Sequence, residues 1–215
     1  MLTNGKKGVG FGVGVECLPD LFASMGCEIL ATDLDAESAI QKGWLQTDQN
    51  SGGNIRALNR LGFCDENTFT RMVHYRDVNM NRIPDDIREF DFCWSSCALE
   101  HLGSLKKGLD FIENSMDCLK PGGIAVHTTE YNLYSNETTY EGDNCSIYRK
   151  KDIEQLVKSL EMKGCSVAPI DWHLGSSVVD GFVDVPPYFG KNMHLRLDLE
   201  GFVSTSIGLI IRRDR

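Results

Sequence analysis

The stretch GVGFGVGVE, residues 8–16, sets glycine at every second position: Gly8, Gly10, Gly12 and Gly14. Alternation is the period of a strand, yet glycine weakens a strand because it loses the most entropy on folding and packs no side chain. Four of them where a first core strand should end mark either a sharp turn of the backbone or a close approach to it. The segments on either side say what kind of sheet that strand belongs to.

Outward from the glycines, strand-like and helix-like segments alternate. Residues 6–11 lead into them. CLPDLFASMG (17–26) reads as a helix with Pro19 in its first turn, Leu18, Leu21, Phe22 and Met25 along one face and Gly26 as its stop. CEILATD (27–33) is an apolar run ending in an acid. Residues 36–71 are more polar and predict two or three short helices around the QNSGGN turn. MVHYRD (72–77) and FDFCWSS (90–96) read as strands. A helix follows from about Ser104 to Lys120, with Leu105, Leu109, Ile112, Met116 and Leu119 at helical spacing, and KPGG stops it. IAVHTTEY (124–131) is a further strand, KDIEQLVKSLEMK (151–163) an amphipathic helix, and CSVAPIDWH and FVSTSIGLIIRR two last strands flanking a loop over 174–201.

This order predicts an α/β fold, a three-layer α/β/α sandwich around a mostly parallel sheet. Right-handed crossovers bring the ends of strands one, two, four and five to a single edge, which is where ligands bind in such sheets. The glycines follow strand one and therefore lie at that edge.

Composition narrows the ligand. The 215 residues carry a net charge of −9, with 31 acids against 22 Lys plus Arg, which argues against nucleic acid as a partner. No run approaches the ~18 apolar residues of a membrane span, so no membrane insertion is expected. The start MLTNGKKGVG lacks the apolar stretch of a secretion signal, and a cytoplasmic location is expected. The eight cysteines include no CxxC pair, and several sit in apolar runs; they read as reduced structural thiols rather than metal ligands or disulfides. No repeat or linker divides the chain, so residues 1–215 read as one domain. Oligomeric state is not legible.

A dinucleotide fingerprint needs GxGxxG, and every register fails: the third glycine falls on Val13, Val15 or Cys17. No GK[ST] follows, so a phosphate loop fails too. What remains is GxGxG at Gly10, Gly12 and Gly14, with Asp33 nineteen residues beyond Gly14, close to the ~20 expected of an acid that grips ribose hydroxyls.

At this point the sequence resembles the class I, Rossmann-like, S-adenosylmethionine-dependent methyltransferases, in particular the small-molecule type 11. GVGFGVG matches the glycine motif, LATDLD the ribose-binding acid, YRDVN the adenine-binding acid, FDFCWSSCALEHL the fourth-strand motif and LKPGGIAVHTTEY the fifth strand. The resemblance implies a seven-stranded, mostly parallel sheet with its last strand antiparallel. It implies S-adenosylmethionine as cofactor and S-adenosylhomocysteine as product. Gly10, Gly12 and Gly14 would surround the methionine portion, Asp33 and Leu34 the ribose side, Asp77 and Val78 the adenine, and Ser95 would stand beside the cofactor. Two departures stand out. Position 8, where the family carries an acid, is glycine, with Glu16 as a substitute acid; and the chain starts almost on strand one, without a common leading helix, as a trimmed chain would.

A hydroxyl acceptor must lose a proton near the transition state, so a base within reach is expected. His101, just past strand four, is the first candidate, with His127 and Glu130 near the end of strand five as alternatives. Residues two apart share a strand face, so His127 and Thr129 point one way and Thr128 and Glu130 the other. A metal is not expected; an HxxE set with His173 or His194 is the nearest approach to one. The acceptor, a small molecule or a glycan or lipid precursor, should meet insertions over 36–71 and 174–201, the latter carrying Pro186, Pro187, Tyr188, Phe189 and His194. The competing expectation is a catalytically inactive relative that binds cofactor or a partner.

Overall fold

A computed structural model of the protein describes residues 4–45, 49–188 and 195–215. Its elements follow the expected alternation. They are β1 (Lys7–Phe11), α1 (Leu18–Ser24), β2 (Glu28–Asp33), α2 (Ala36–Gln41), α3 (Glu66–Met72), β3 (Val73–Asp77), β4 (Phe90–Ser96), α4 (Leu105–Ser115) and β5 (Leu119–Asn132). Then come α5 (Lys150–Met162), β6 (Cys165–Val167), α6 (Val178–Gly181), β7 (Val183–Asp184), β8 (Arg196–Leu199) and β9 (Phe202–Arg213). One sheet runs β3-β2-β1-β4-β5-β9-β8-β7, with β6 also pairing β9. The strands from β3 to β5 are parallel, and β9 returns antiparallel against β5. The strand order reverses at β1, and the carboxyl ends of β1, β2 and β4 share one edge.

The two faces of the sheet are packed by different helices. Val9, Phe11 and Cys93 face one way, into a core with Phe111 and Ile112 of α4 and Ile153 and Leu156 of α5. Ile29, Ala31, Phe92 and Trp94 face the other way, against Ala23 of α1 and Phe69 of α3. The period of two along each strand thus yields the three layers.

Four expectations need correction. The sheet has nine strands rather than seven, because the 174–201 segment carries β7, β8 and a short helix instead of being only a loop. CSVAPIDWH pairs only over Cys165–Val167. The KPGG helix ends earlier, at Ser115, and passes through a 3-10 turn (Met116–Cys118) into β5; KPGG forms a bulge, Phe90 pairing with Leu119 and Phe92 with Ile124. Helix α1 stops before Met25, which is 46% exposed, while Asp20 is fully buried and accepts from the amides of Phe63 (2.7 Å) and Cys64 (2.9 Å). That acid ties the 55–65 connection to the helix.

All eight cysteines are free of disulfides. Among the described residues no helix is long and apolar enough to cross a membrane.

Candidate active site

The four glycines divide into two pairs. Gly8 and Gly10 lie inside β1, directly opposite Phe92 and Trp94 of β4. A Cβ on Gly8 would stand 2.3 Å from Phe92 Cζ, and one on Gly10 would stand 2.4 Å from Trp94 Cζ2. The two rings stack at 5.9 Å and 23°, and Phe22 of α1 meets both edge-on at 5.2 and 5.1 Å. Aromatic rings from the neighbouring strand therefore fill the space that the glycines leave. Gly12 and Gly14 have φ of +63° and +52°, the left-handed region that glycine enters without a steric penalty. They turn the chain off β1, and a Cβ on Gly12 would stand 2.7 Å from Ala98 Cβ.

Beyond that turn is a cavity of about 500 Å³. Gly12, Gly14, Glu16, Asp33, Leu34, Val78, Met80, Ser96, Cys97 and His101 line it, with Trp44, Lys42 and Arg60 from the 36–71 segment. Asp33, at the end of β2, is 3% exposed. Its two oxygens accept from the amides of Gly14 (2.9 Å) and Leu34 (2.8 Å), which lock the carboxylate to the turn. Burial pushes its carboxyl up to about 6. Each oxygen keeps a second lone pair, so the group can still accept from a diol. Glu16 stands across the turn, where its Oε1 accepts from Trp94 Nε1 at 2.6 Å; burial pushes its carboxyl up to about 7.

His101 lines the cavity, and its Nδ1 faces the carbonyl oxygen of Asn144. A carbonyl only accepts, so Nδ1 carries the proton and Nε2 is left as the basic nitrogen. The Trp44 ring lies 5.9 Å from the imidazole.

Of the other residues singled out in the sequence, Leu34 and Val78 line the cavity, whereas Gly10, Asp77 and Ser95 do not. Gly10 sits under Trp94. Asp77 is exposed at the end of β3. Ser95 is buried, its hydroxyl 2.8 Å from His127 Nδ1, and Ser96 takes the wall position instead. His127 is fully buried between Ser95 and Ser115, the latter 3.1 Å from Nε2, and burial lowers its pKa to about 3. It is a neutral core residue and does not reach the cavity. Phe189 and His194 lie outside the described residues, and the described part of 174–201 supplies no lining residue. Met80, Trp44 and Cys97 are wall residues with no signal in the sequence.

Glu130 also lies off the cavity, half-buried, in a group with the half-buried Cys97 and the buried Glu100. Its Oε2 accepts from Ser204 (2.9 Å), Glu100 Oε2 accepts from Thr129 (3.1 Å), and the thiol and both carboxylates converge within 4.8 Å. Burial, with the Glu130 charge beside it, pushes the Glu100 carboxyl up to about 8, so it is protonated at neutral pH.

The lining fits a nucleoside with an amino-acid tail in its chemistry: a buried carboxylate in Asp33 able to accept from a diol, apolar surface from Leu34, Val78 and Met80, and a glycine turn at the wall. Comparisons with known proteins agree. The model of the methyltransferase domain matches residues 8–127, more than half of the chain. No curated protein matches. Among solved structures the chain is similar to a putative sarcosine dimethylglycine methyltransferase from Galdieria sulphuraria, at 14% identity and a TM-score of 0.59, covering 100% of this chain and 80% of that one. It is similar to an S-adenosylmethionine-dependent methyltransferase from Mesorhizobium loti, at 14% identity and a TM-score of 0.57, covering 99% and 93%. It is also similar to a phosphoethanolamine N-methyltransferase of Haemonchus contortus in complex with phosphomonomethylethanolamine and S-adenosylhomocysteine. There identity is 16%, the TM-score 0.52 and coverage 78% of this chain and 35% of that one. The chain therefore belongs to the S-adenosylmethionine-dependent methyltransferase-domain family, with S-adenosylmethionine as its cofactor.

Proposed function

We propose that the protein transfers a methyl group to oxygen or nitrogen of a small-molecule acceptor, or of a glycan or lipid precursor, with His101 as general base. The observation that carries this is the imidazole on the cavity wall, its tautomer fixed by the Asn144 carbonyl. The bound cofactor supplies a methyl group already activated on a sulfonium, which leaves alignment and proton removal to the chain. Asp33 orients the ribose, Gly12 and Gly14 give the tail access to the backbone, and Leu34 and Val78 flank the base. His101 Nε2 takes the acceptor's proton as the new bond forms.

The 36–71 segment supplies the acceptor side of the wall through Trp44, Lys42 and Arg60. We read residues 1–215 as one domain, and the eight free thiols support a cytoplasmic location.

A second reading, cofactor binding without transfer, is favoured by the glycine at position 8. Methyl-labelled S-adenosylmethionine and a panel of hydroxyl and amine acceptors separate the two. Transfer that His101→Ala lowers by ~10²–10⁴-fold, with S-adenosylhomocysteine affinity retained, supports the enzyme. Undiminished transfer removes His101 as the base, and cofactor binding with no transfer to any acceptor favours the second reading.

A further inference from the structure

We infer that Glu16 holds the α-ammonium group of the cofactor's amino-acid tail, from a position that the Phe92–Trp94 pair both imposes and builds. The inference rests on the cavity taking S-adenosylmethionine. An acid at position 8 has no room, because even a Cβ there would stand 2.3 Å from Phe92 Cζ. The ring cannot give way cheaply, since it is stacked on Trp94 and met edge-on by Phe22. Trp94, which forbids a side chain at Gly10, is the residue whose Nε1 donates to Glu16 Oε1 at 2.6 Å. The packing that removes one acid site thus orients another, eight residues along and past the glycine turn.

Charge matching leads to the same residue. Glu16 and Asp33 are the only carboxylates on the described cavity wall. Asp33, at the end of β2, has one lone pair of each oxygen tied to the amides of Gly14 and Leu34, and the proposed function gives the remaining pair of each to the ribose diol. That leaves Glu16 for a cationic group. The groups that bear on its titration are Asp33 from β2, which raises its pKa, and Trp94 and Ser96 from β4, which lower it; Lys42, Arg60 and His101 share the cavity. With burial dominant, its carboxyl stands at about 7, so the free site holds a fraction of a proton that an arriving ammonium displaces.

Two ligands isolate the contact. S-adenosylhomocysteine carries the amino-acid tail, and 5′-methylthioadenosine has the same nucleoside and a thioether but no tail. Calorimetry of the wild type in buffers of different ionisation heat should show a larger proton release at neutral pH with the first than with the second, whose release comes from Asp33 alone. Affinity for the first should rise by up to about tenfold per pH unit below pH ~7. Glu16→Gln keeps an acceptor for Trp94; it should weaken S-adenosylhomocysteine by about 10- to 100-fold, cut its proton release to that of 5′-methylthioadenosine and leave 5′-methylthioadenosine within about threefold. Equal loss for both ligands, or no loss and equal proton release with both in the wild type, overturns the assignment of Glu16. A wild type that binds neither ligand overturns the cofactor reading beneath it, a result distinct from either.

Discussion

Gly8 and Gly10 on one side, and Gly12 and Gly14 on the other, are the same residue in one alternating run, yet they answer to different demands. The first pair has ordinary strand geometry and is glycine because rings from β4 occupy the space above it. The second pair has positive φ and is glycine because the backbone turns at the mouth of a cavity. One pair therefore serves packing and the other ligand access. A motif that reads as a single signature is two structural devices placed end to end.

Substitution should separate them. Gly12→Ala puts a methyl 2.7 Å from Ala98 in a backbone region that alanine resists, directly on the cavity wall. It should abolish the rise in melting temperature on adding S-adenosylhomocysteine, the largest effect expected of this pair of variants. Gly10→Ala drives a methyl to 2.4 Å from Trp94 and should cost ~1–3 kcal/mol of stability, a fall of several degrees in Tm. The rise with S-adenosylhomocysteine should survive in the folded fraction. Loss of binding in Gly10→Ala with an unchanged Tm would break the division.

A third effect, read against pH, concerns the acids at the cavity and the buried Glu100 beside it. Glu100 is 1% exposed, with its carboxyl pushed up from 4.5 to about 8. The folded chain keeps a proton that the unfolded chain releases, so this stabilisation is greatest below about 4.5 and declines toward pH 8. The slope is up to ~1.4 kcal/mol per pH unit. Glu100→Gln should flatten that decline in denaturant titrations across this range. Asp33 and Glu16 slope the same way up to about 6 and 7, but only their share should be relieved by saturating S-adenosylhomocysteine. Relief of the Glu100 share as well would mean that ligand binding reaches the cluster through Cys97, the residue the cluster shares with the cavity wall.

Much of the molecule is legible in the chain because local patterns carry it. FDFCWSS and FVSTSIGLIIRR coincide with β4 and β9, and the acid after LAT lands on the glycine turn as its spacing predicts. What escapes is set by partners distant in sequence. Gly8 reads as a missing acid until Phe92, 84 residues on, is seen to fill its place. Ser95 and Ser96 are equivalent in the chain, but strand alternation hands one to His127 in the core and the other to the cavity. His127 and His101 both look titratable; only the packing of Ser95, Ser115 and α4 makes the first inert. The short strands β7 and β8 escape because two- and four-residue strands carry too little periodicity to register.

On the function proposed above, the turn and Asp33 form a site for S-adenosylmethionine rather than for a dinucleotide. Parallel calorimetric titrations with S-adenosylmethionine and NAD, on the wild type and on Asp33→Ala, test it most directly. Saturable binding of S-adenosylmethionine that Asp33→Ala weakens by at least about 100-fold is expected, with no binding of NAD in the same range. Tighter binding of NAD, or S-adenosylmethionine binding indifferent to Asp33→Ala, would contradict it.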